Sequence, residues 1–508
     1  MLTESPGAMP AVLTGSDGRS SPSFVALLAV FSIETIAINL ARLPESMRFD
    51  RFAFCDHGAN LTLQYLIDNG LRPSLDFGYH YGLLPALVGR IWFAVFGATP
   101  WAYQGAMLIA DLLCAWALAK ILSQLKIGVI GIALAIITLG YSFQASYINF
   151  AHAIEAVLLS HALAQQLRSS RSTSLALCAA AVFDKPSMGY IYGLVLVVLI
   201  VRDLAGTDSA PRRIAAALAP ATIVFVSLAI TLSAIFGMHT VLHTALPIEG
   251  ATAYHALNYG LLGTGREFWD PQKFPWTYYA IDVAGFWIAG TLFLFGSALL
   301  QLRRADHSKL PIKEAILTCA ILHLAFLVLF FGNQWSWIYY PYLLTIGVAV
   351  ATGVGPTSRR VGVILCAVAL ISYTDLAYWT HRWWQTTTRD AATAGLWAPE
   401  DERQEWQQVL SSTHRHKVVM LDSMGAAELL FPGFENPVSL FLTRGLMQRD
   451  DVRRKLAQLA TAEVAVVPIT IEACSGVPDA PEFRDALKSF DLAWEGKHFQ
   501  VYRRRAAP

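Results

Sequence analysis

Four aspartates and a histidine, Asp50, Asp56, His57, Asp68 and Asp76, crowd residues 41–82, a polar stretch otherwise rich in aromatics. Asp56 follows Phe52-Ala53-Phe54-Cys55 and precedes Gly58, so it stands at a turn close to an apolar run at 24–40. Desolvation near such an interface raises a carboxylate's pKa and tunes it towards general-base work. An aspartate there also suits the N-cap of a helix over 59–67, and the two roles are compatible. Asp76 lies in Leu75-Asp76-Phe77-Gly78-Tyr79-His80-Tyr81-Gly82. Tyr79 and Tyr81 offer faces on which a sugar stacks, and Asp76 offers an acceptor for its hydroxyls. The same spacing equally suits an interfacial aromatic belt with a turn aspartate.

Further along, Lys185 stands beside Pro186 at the end of a short apolar run, where an ammonium attracts a phosphate or headgroup. Asp184 next to it offers a local ion pair instead. The long 237–278 connection carries His239 and His243 four apart, together with Arg266, a second candidate phosphate ligand. Two histidines alone are weak evidence for a metal, and no CxxC or HExxH spacing occurs, so no metal site is assigned. Gln334-Trp335-Ser336-Trp337-Ile338-Tyr339-Tyr340-Pro341 reads as an aromatic belt or as the lining of a lipid groove. Asp111, His152, Glu155 and His161 fall inside apolar runs and read as polar contacts of a bundle interior. Of the six cysteines, Cys55 and Cys474 fall outside the spans and form a candidate disulfide.

These residues need a frame, and composition supplies it. Of 508 residues, 55% are hydrophobic and 15% charged, short of the roughly 25% charge of soluble domains. Apolar runs near the roughly 20 residues that cross a bilayer recur along the chain. A net charge of +1 argues against a nucleic-acid partner, which would need a basic face. Basic clusters at 120/126, 168/171, 202–213, 303–313 and 359/360 fix the cytoplasmic side. Alternation then gives about eleven spans, near 24–40, 101–121, 127–142, 148–167, 174–184, 187–201, 213–236, 279–301, 314–331, 337–354 and 361–379. Residues 1–23 read as a disordered cytoplasmic tail. The stretch 83–97 reads as an interfacial helix, being short and carrying Pro85 and Arg90. The fold class expected is therefore an α-helical polytopic membrane domain over 24–382. The charged 383–508 region follows as a soluble extracytoplasmic α/β domain, with short strands at 417–421, 464–467 and 499–502 and helices at 402–410 and 451–459. That domain reads as a docking or substrate-gripping module.

Taken together these pieces resemble the GT-C superfamily of integral-membrane glycosyltransferases. The residues that carry the resemblance are Asp56-His57-Gly58, Gly70-Leu71-Arg72-Pro73-Ser74-Leu75-Asp76-Phe77, Tyr81-Gly82-Leu83-Leu84, Val95-Phe96-Gly97, Lys185-Pro186 and Tyr339-Tyr340-Pro341-Tyr342. The resemblance implies a polyprenyl-phosphate-linked sugar donor and a glycan, lipid or protein acceptor. It also implies a bacterial inner-membrane location, with the first loop and the C-terminal domain periplasmic. Asp56 takes the place of the family's first-loop acid, which acts as general base or binds a metal. His57 replaces the usual second acid, and that weakens the case for a divalent cation there. The sites so implied are Asp56, His57 and Asp76 for catalysis, with Tyr79, Tyr81, Lys185, Arg266, Tyr339 and Tyr340 for substrate. A flippase or secondary transporter coupled through Asp111 and Glu155 is the alternative, and an inert membrane scaffold is a third reading.

Overall fold

The computed structural model describes residues 22–79, 81–142, 150–168, 170–205, 210–246, 282–303, 310–330, 341–422, 426–438, 449–469 and 481–506. In chain order the helices are α1 (Phe24–Ala41), α2 (Leu43–Ser46), α3 (Phe49–Phe54), α4 (Asp56–Asp68), α5 (Leu84–Phe96), α6 (Pro100–Gln124), α7 (Val129–Ser142), α8 (Phe150–Gln166), α9 (Arg171–Val182), α10 (Pro186–Leu204), α11 (Ala210–Phe236), α12 (Met238–Ala245), α13 (Asp282–Arg303), α14 (Leu310–Phe330), α15 (Pro341–Ala351) and α16 (Pro356–Thr386). Then come α17 (Glu400–Thr413), α18 (Ala427–Leu430), α19 (Arg449–Thr461) and α20 (Pro481–Leu487).

Every expected span coincides with one of these helices. Among the described residues, α1, α6, α10, α11 and most of α13 and α14 are long and apolar enough to cross a membrane. Large apolar side chains such as Ile223 and Ile230 on α11 and Leu194 on α10 remain more than 60% exposed. In water that surface would drive aggregation, whereas hydrocarbon solvates it. The protein is a multi-pass membrane protein. α9, with 12 residues, is only about 18 Å long and cannot span alone. It packs between α8, α10 and α11, and Pro186 at the first position of α10 restarts the helix. α5 has 13 residues, and its exposed Ile91 and Val95 oppose the buried Ala86, Gly89 and Phe93. That two-sided character suits the interfacial placement read from the sequence.

The strands are β1 (Thr387–Thr388), β2 (Ala398–Pro399), β3 (Val418–Met420), β4 (Val464–Pro468), β5 (Phe490–Glu495) and β6 (Phe499–Arg504). The first two pair antiparallel, and the others form a mixed sheet in the order β3-β4-β6-β5. β3 and β4 run parallel, with α19 in the crossover between them, and β6 pairs antiparallel with both its neighbours. Side chains alternate along the central strands. Val418, Met420, Val464 and Val466 face a core with Trp406 and Phe499, while Val419, Leu421, Ala465 and Val467 face one with Leu459 and Phe483.

The first core is completed from the far end of the chain. Phe49, Phe52 and Phe54 of α3 are fully buried in it. Trp406 has ring centroids at 5.2 Å from Phe49, 5.6 Å from Phe54, 5.1 Å from Phe431 and 5.3 Å from Phe499. Backbone bonds lock the junction: Phe49 N–H donates to the Trp397 carbonyl (2.8 Å), Trp397 to Met47 (3.0 Å) and Ala426 to Phe52 (3.2 Å). A Cβ on Gly58 would lie 1.9 Å from the Phe52 carbonyl and 2.8 Å from Ala426 N, so only glycine permits this approach.

Candidate functional site

Helix α4 presents Asp56, Ala59, Asn60 and Leu63 on one face, the i, i+3, i+4, i+7 stripe of helical geometry. Opposite that stripe lie Phe77, Gly78, Tyr79 and Tyr81 of the returning loop, with Pro85 at the start of α5 and Ala151 at the start of α8. Between them is a small cavity that opens to solvent.

Cys55 occupies the cap position of α4 and Asp56 is its first helical residue, one place later than a capping role requires. Among the described residues nothing donates a hydrogen bond to the Asp56 carboxylate. Burial pushes its pKa up, and Arg51 opposes that in part. A carboxylate with uncommitted lone pairs and raised basicity is what a proton acceptor needs. Asp56 is also the one acidic side chain among the described residues that line the cavity. No group of three or more His, Cys, Asp or Glu side chains gathers as metal ligands would, again among the described residues. Cys55 is disulfide-bonded, while Cys474, its expected partner, lies outside the described residues.

Its neighbour His57 points elsewhere. The ring is 1% exposed and packs between Phe52 and Tyr103, with centroids at 5.1 and 5.3 Å. Burial first, and Arg51 next, lower its pKa to about 3, so it stays a neutral wedge. It does not line the cavity. Neither does Asp76, whose carboxylate accepts from Arg72 Nε (2.9 Å) and the Arg72 backbone N–H (2.8 Å). The hydrogen bonds from Arg72 hold the Asp76 pKa below the usual aspartate range.

The loop is gripped from two sides. On the membrane side Gly82 and Leu84 N–H groups donate to the Asp184 and Phe183 carbonyls, each at 2.7 Å. A Cβ on Gly82 would sit 2.0 Å from the Phe183 oxygen, so this seam also requires glycine. Tyr79 Oη donates to the Gly82 carbonyl (3.0 Å) and its ring meets Tyr81 edge-on at 6.0 Å. From the C-terminal domain, Asp451 Oδ2 of α19 accepts from Gly78 N–H (2.8 Å), and Arg454 donates to both the Asp76 carbonyl and the Asp451 carboxylate.

The seam at 183–184 brings Lys185 to the site. Its ammonium lies 5.8 Å from the Tyr81 ring centroid and 3.5 Å from Glu155 Oε2, and it contacts the His152 imidazole. The ion pair forms with Glu155 on α8 rather than with the adjacent Asp184. His152 and Glu155, three apart near the start of α8, are thus neighbours of the site; the sequence reads both as bundle contacts and Glu155 also as a coupling group of the transport alternative. Their i, i+3 spacing was the available signal, and what it lacked was the docking of the 183–185 turn beside them. Asn60 was likewise passed over; its side chain donates to the Asp56 carbonyl (3.0 Å) and accepts from Phe150 N–H (3.4 Å). Asp56, Tyr79, Tyr81 and Lys185 are brought together; His57 and Asp76 stand apart. Arg266, Tyr339 and Tyr340 lie outside the described residues.

No protein-family model matches the sequence, and no curated protein matches it. Solved structures do. ArnT from Cupriavidus metallidurans bound to undecaprenyl phosphate is 13% identical, with a TM-score of 0.51 over 92% of this chain and 97% of that one. ArnT in the apo state matches at 0.41, and the arabinofuranosyltransferase AftD from Mycobacteria at 0.46 over 96% of this chain and 40% of AftD. The fold is that of the GT-C membrane glycosyltransferases, with a C-terminal domain built on a β-sheet.

Proposed function

We propose that this GT-C-fold chain is a glycosyltransferase that moves a sugar from a polyprenyl-phosphate donor to an extracytoplasmic acceptor, with inversion and with Asp56 as general base. The observation that carries this reading is the cavity in which an unbonded Asp56 carboxylate faces Tyr79 and Tyr81, with the Lys185 ammonium beyond the Tyr81 ring. The ArnT structure that supports the donor class holds undecaprenyl phosphate.

The acceptor hydroxyl gives its proton to the Asp56 carboxylate as its oxygen attacks the anomeric carbon. The bond from that carbon to the phosphate oxygen breaks, and polyprenyl phosphate leaves with the electron pair. One displacement inverts the anomeric centre. Lys185, steadied by His152 and Glu155, stabilises charge building on the leaving phosphate, with Arg266 as a second cation. Tyr79 and Tyr81 stack on the sugar, and Tyr339 and Tyr340 border the lipid. The loop and the C-terminal domain face the periplasm of a bacterial inner membrane, and that domain helps hold a glycan, lipid or protein acceptor.

The test is transfer of labelled sugar from polyprenyl-phosphate donors by purified protein in nanodiscs, wild type against Asp56→Asn. Turnover that vanishes in the variant supports the assignment. Turnover unchanged by it removes Asp56 as the base, and donor flipping without turnover turns the case to transport.

A further inference from the structure

Three helix ends meet beside the β1–β2 ribbon: Ala41 of α1 and Pro100 of α6, both helices long and apolar enough to cross a membrane, and the last turn of α16. Tryptophans gather there. Trp384 Nε1–H donates to the Ala41 carbonyl (2.6 Å), and the Trp397 ring lies 6.1 Å from both Trp101 and Trp384. Trp101 and Trp384 keep 48% and 49% of their surface exposed. Indoles at the ends of spans sit at headgroup depth, where one edge is wet and the other apolar.

Across this patch lies Arg389, exposed, with its guanidinium carbon 4.4 Å from the Trp397 ring centroid and 5.8 Å from that of Trp101. Among the described residues no carboxylate pairs with it. The adjacent Asp390 is taken by Arg403 (2.6 Å) and caps the turn at Ala391–Thr393, and Glu400 is taken by Arg403 as well. The indoles hold the cation in place without neutralising it.

We propose that this patch docks the phosphate of an anionic membrane phospholipid, with Arg389 on the phosphate and Trp101 and Trp384 at the glycerol level. Guanidinium geometry matches a phosphate's paired oxygens. The position at the ends of two candidate spans, α1 and α6, selects a bilayer lipid over a soluble anion. Docking draws the ribbon that begins the C-terminal domain onto the membrane surface and fixes how that domain stands over it. The inference rests on the multi-pass fold and not on the transferase reading.

The experiment places full-length protein in nanodiscs containing phosphatidylcholine or phosphatidylglycerol brominated high on the acyl chain. The Trp101 fluorescence is isolated by difference from Trp101→Phe. Phosphatidylglycerol is expected to associate about fivefold more strongly than phosphatidylcholine, as one surface cation implies. The preference should fall to parity in Arg389→Gln and persist in Arg389→Lys, which retains the charge and controls for folding. Equal quenching by both lipids in the wild type, no quenching by either, or a preference that survives Arg389→Gln would each overturn the proposal.

Discussion

Asp56 and Asp76 belong to one loop, and its folding gives them opposite chemistry. The first opens α4 inside the cavity, accepts no hydrogen bond among the described residues and is pushed up by burial. The second accepts three hydrogen bonds from Arg72 and is pulled down. A carboxylate whose lone pairs are already filled is a weak base, however close to a substrate it stands. Two aspartates in one loop are therefore not two equivalent candidates. The environment sorts them into the proposed base and a clasp that keeps the loop's return in shape for Tyr79 and Tyr81.

That contrast can be broken most directly by rate. Asp56→Asn is expected to lower turnover by about 10²–10⁴-fold, whereas Asp76→Asn should act mainly on KM. Equal losses in kcat would erase the distinction. The pH dependence sharpens it next. The acid limb of kcat/KM should fall above the ordinary aspartate value of about 3.9, because Asp56 must be ionised and its pKa is raised. Asp76→Asn should leave that limb in place, and a limb that moves with Asp76 would reassign the base.

Stability should carry opposite signs at the two positions. Folding raises the Asp56 pKa, so ionising it costs stability as pH rises from the unfolded value through the folded one, and the cost persists above that. Asp56→Asn is thus expected to melt no lower than wild type at neutral pH. Folding lowers the Asp76 pKa, so its contribution is present above the unfolded value and lost as pH falls through the folded one. Thermal midpoints of both variants across that range check the pair of signs. The smallest effect belongs to His57. Its imidazole is neutral above about 3, so His57→Leu should keep near-wild-type turnover and leave the pH profile near 6.5 unaltered. A lost limb there would put the ring in the chemistry.

The spans were legible because each is a local apolar run, and a window of residues carries the whole signal. The two charged, amphipathic helices of the C-terminal domain, α17 and α19, were legible for the same reason. β5 was not: in Phe490–Glu495 one residue is buried and four are exposed, so the alternation that marks a half-buried strand never develops. At the site, the sequence pointed to Asp56, Tyr79, Tyr81 and Lys185 as separate features. What joins them is two carbonyls of the 183–184 turn accepting from Gly82 and Leu84, and no spacing rule connects residues so far apart. Asp451 and Arg454 show the same limit. Their helix was readable, but its grip on Gly78 and Asp76 was not, since it depends on how the domain sits on the loop. The aromatic run Phe49–Phe54 was legible only as the approach to Asp56, and its burial against Trp406 and Phe499 was not.

That last feature sets a timetable for the growing chain. Phe49, Phe52 and Phe54 leave the ribosome well before Trp397, Trp406 and Phe499, which enclose them. At about 5–20 residues per second the segment waits roughly 20 to 90 s for Phe499, with three phenylalanines uncovered. Asp56 follows directly on that segment, so the proposed base takes its final place only when Trp397, Trp406 and Phe499 close over Phe49, Phe52 and Phe54. A half-made chain can fill the membrane with helices and still be chemically silent.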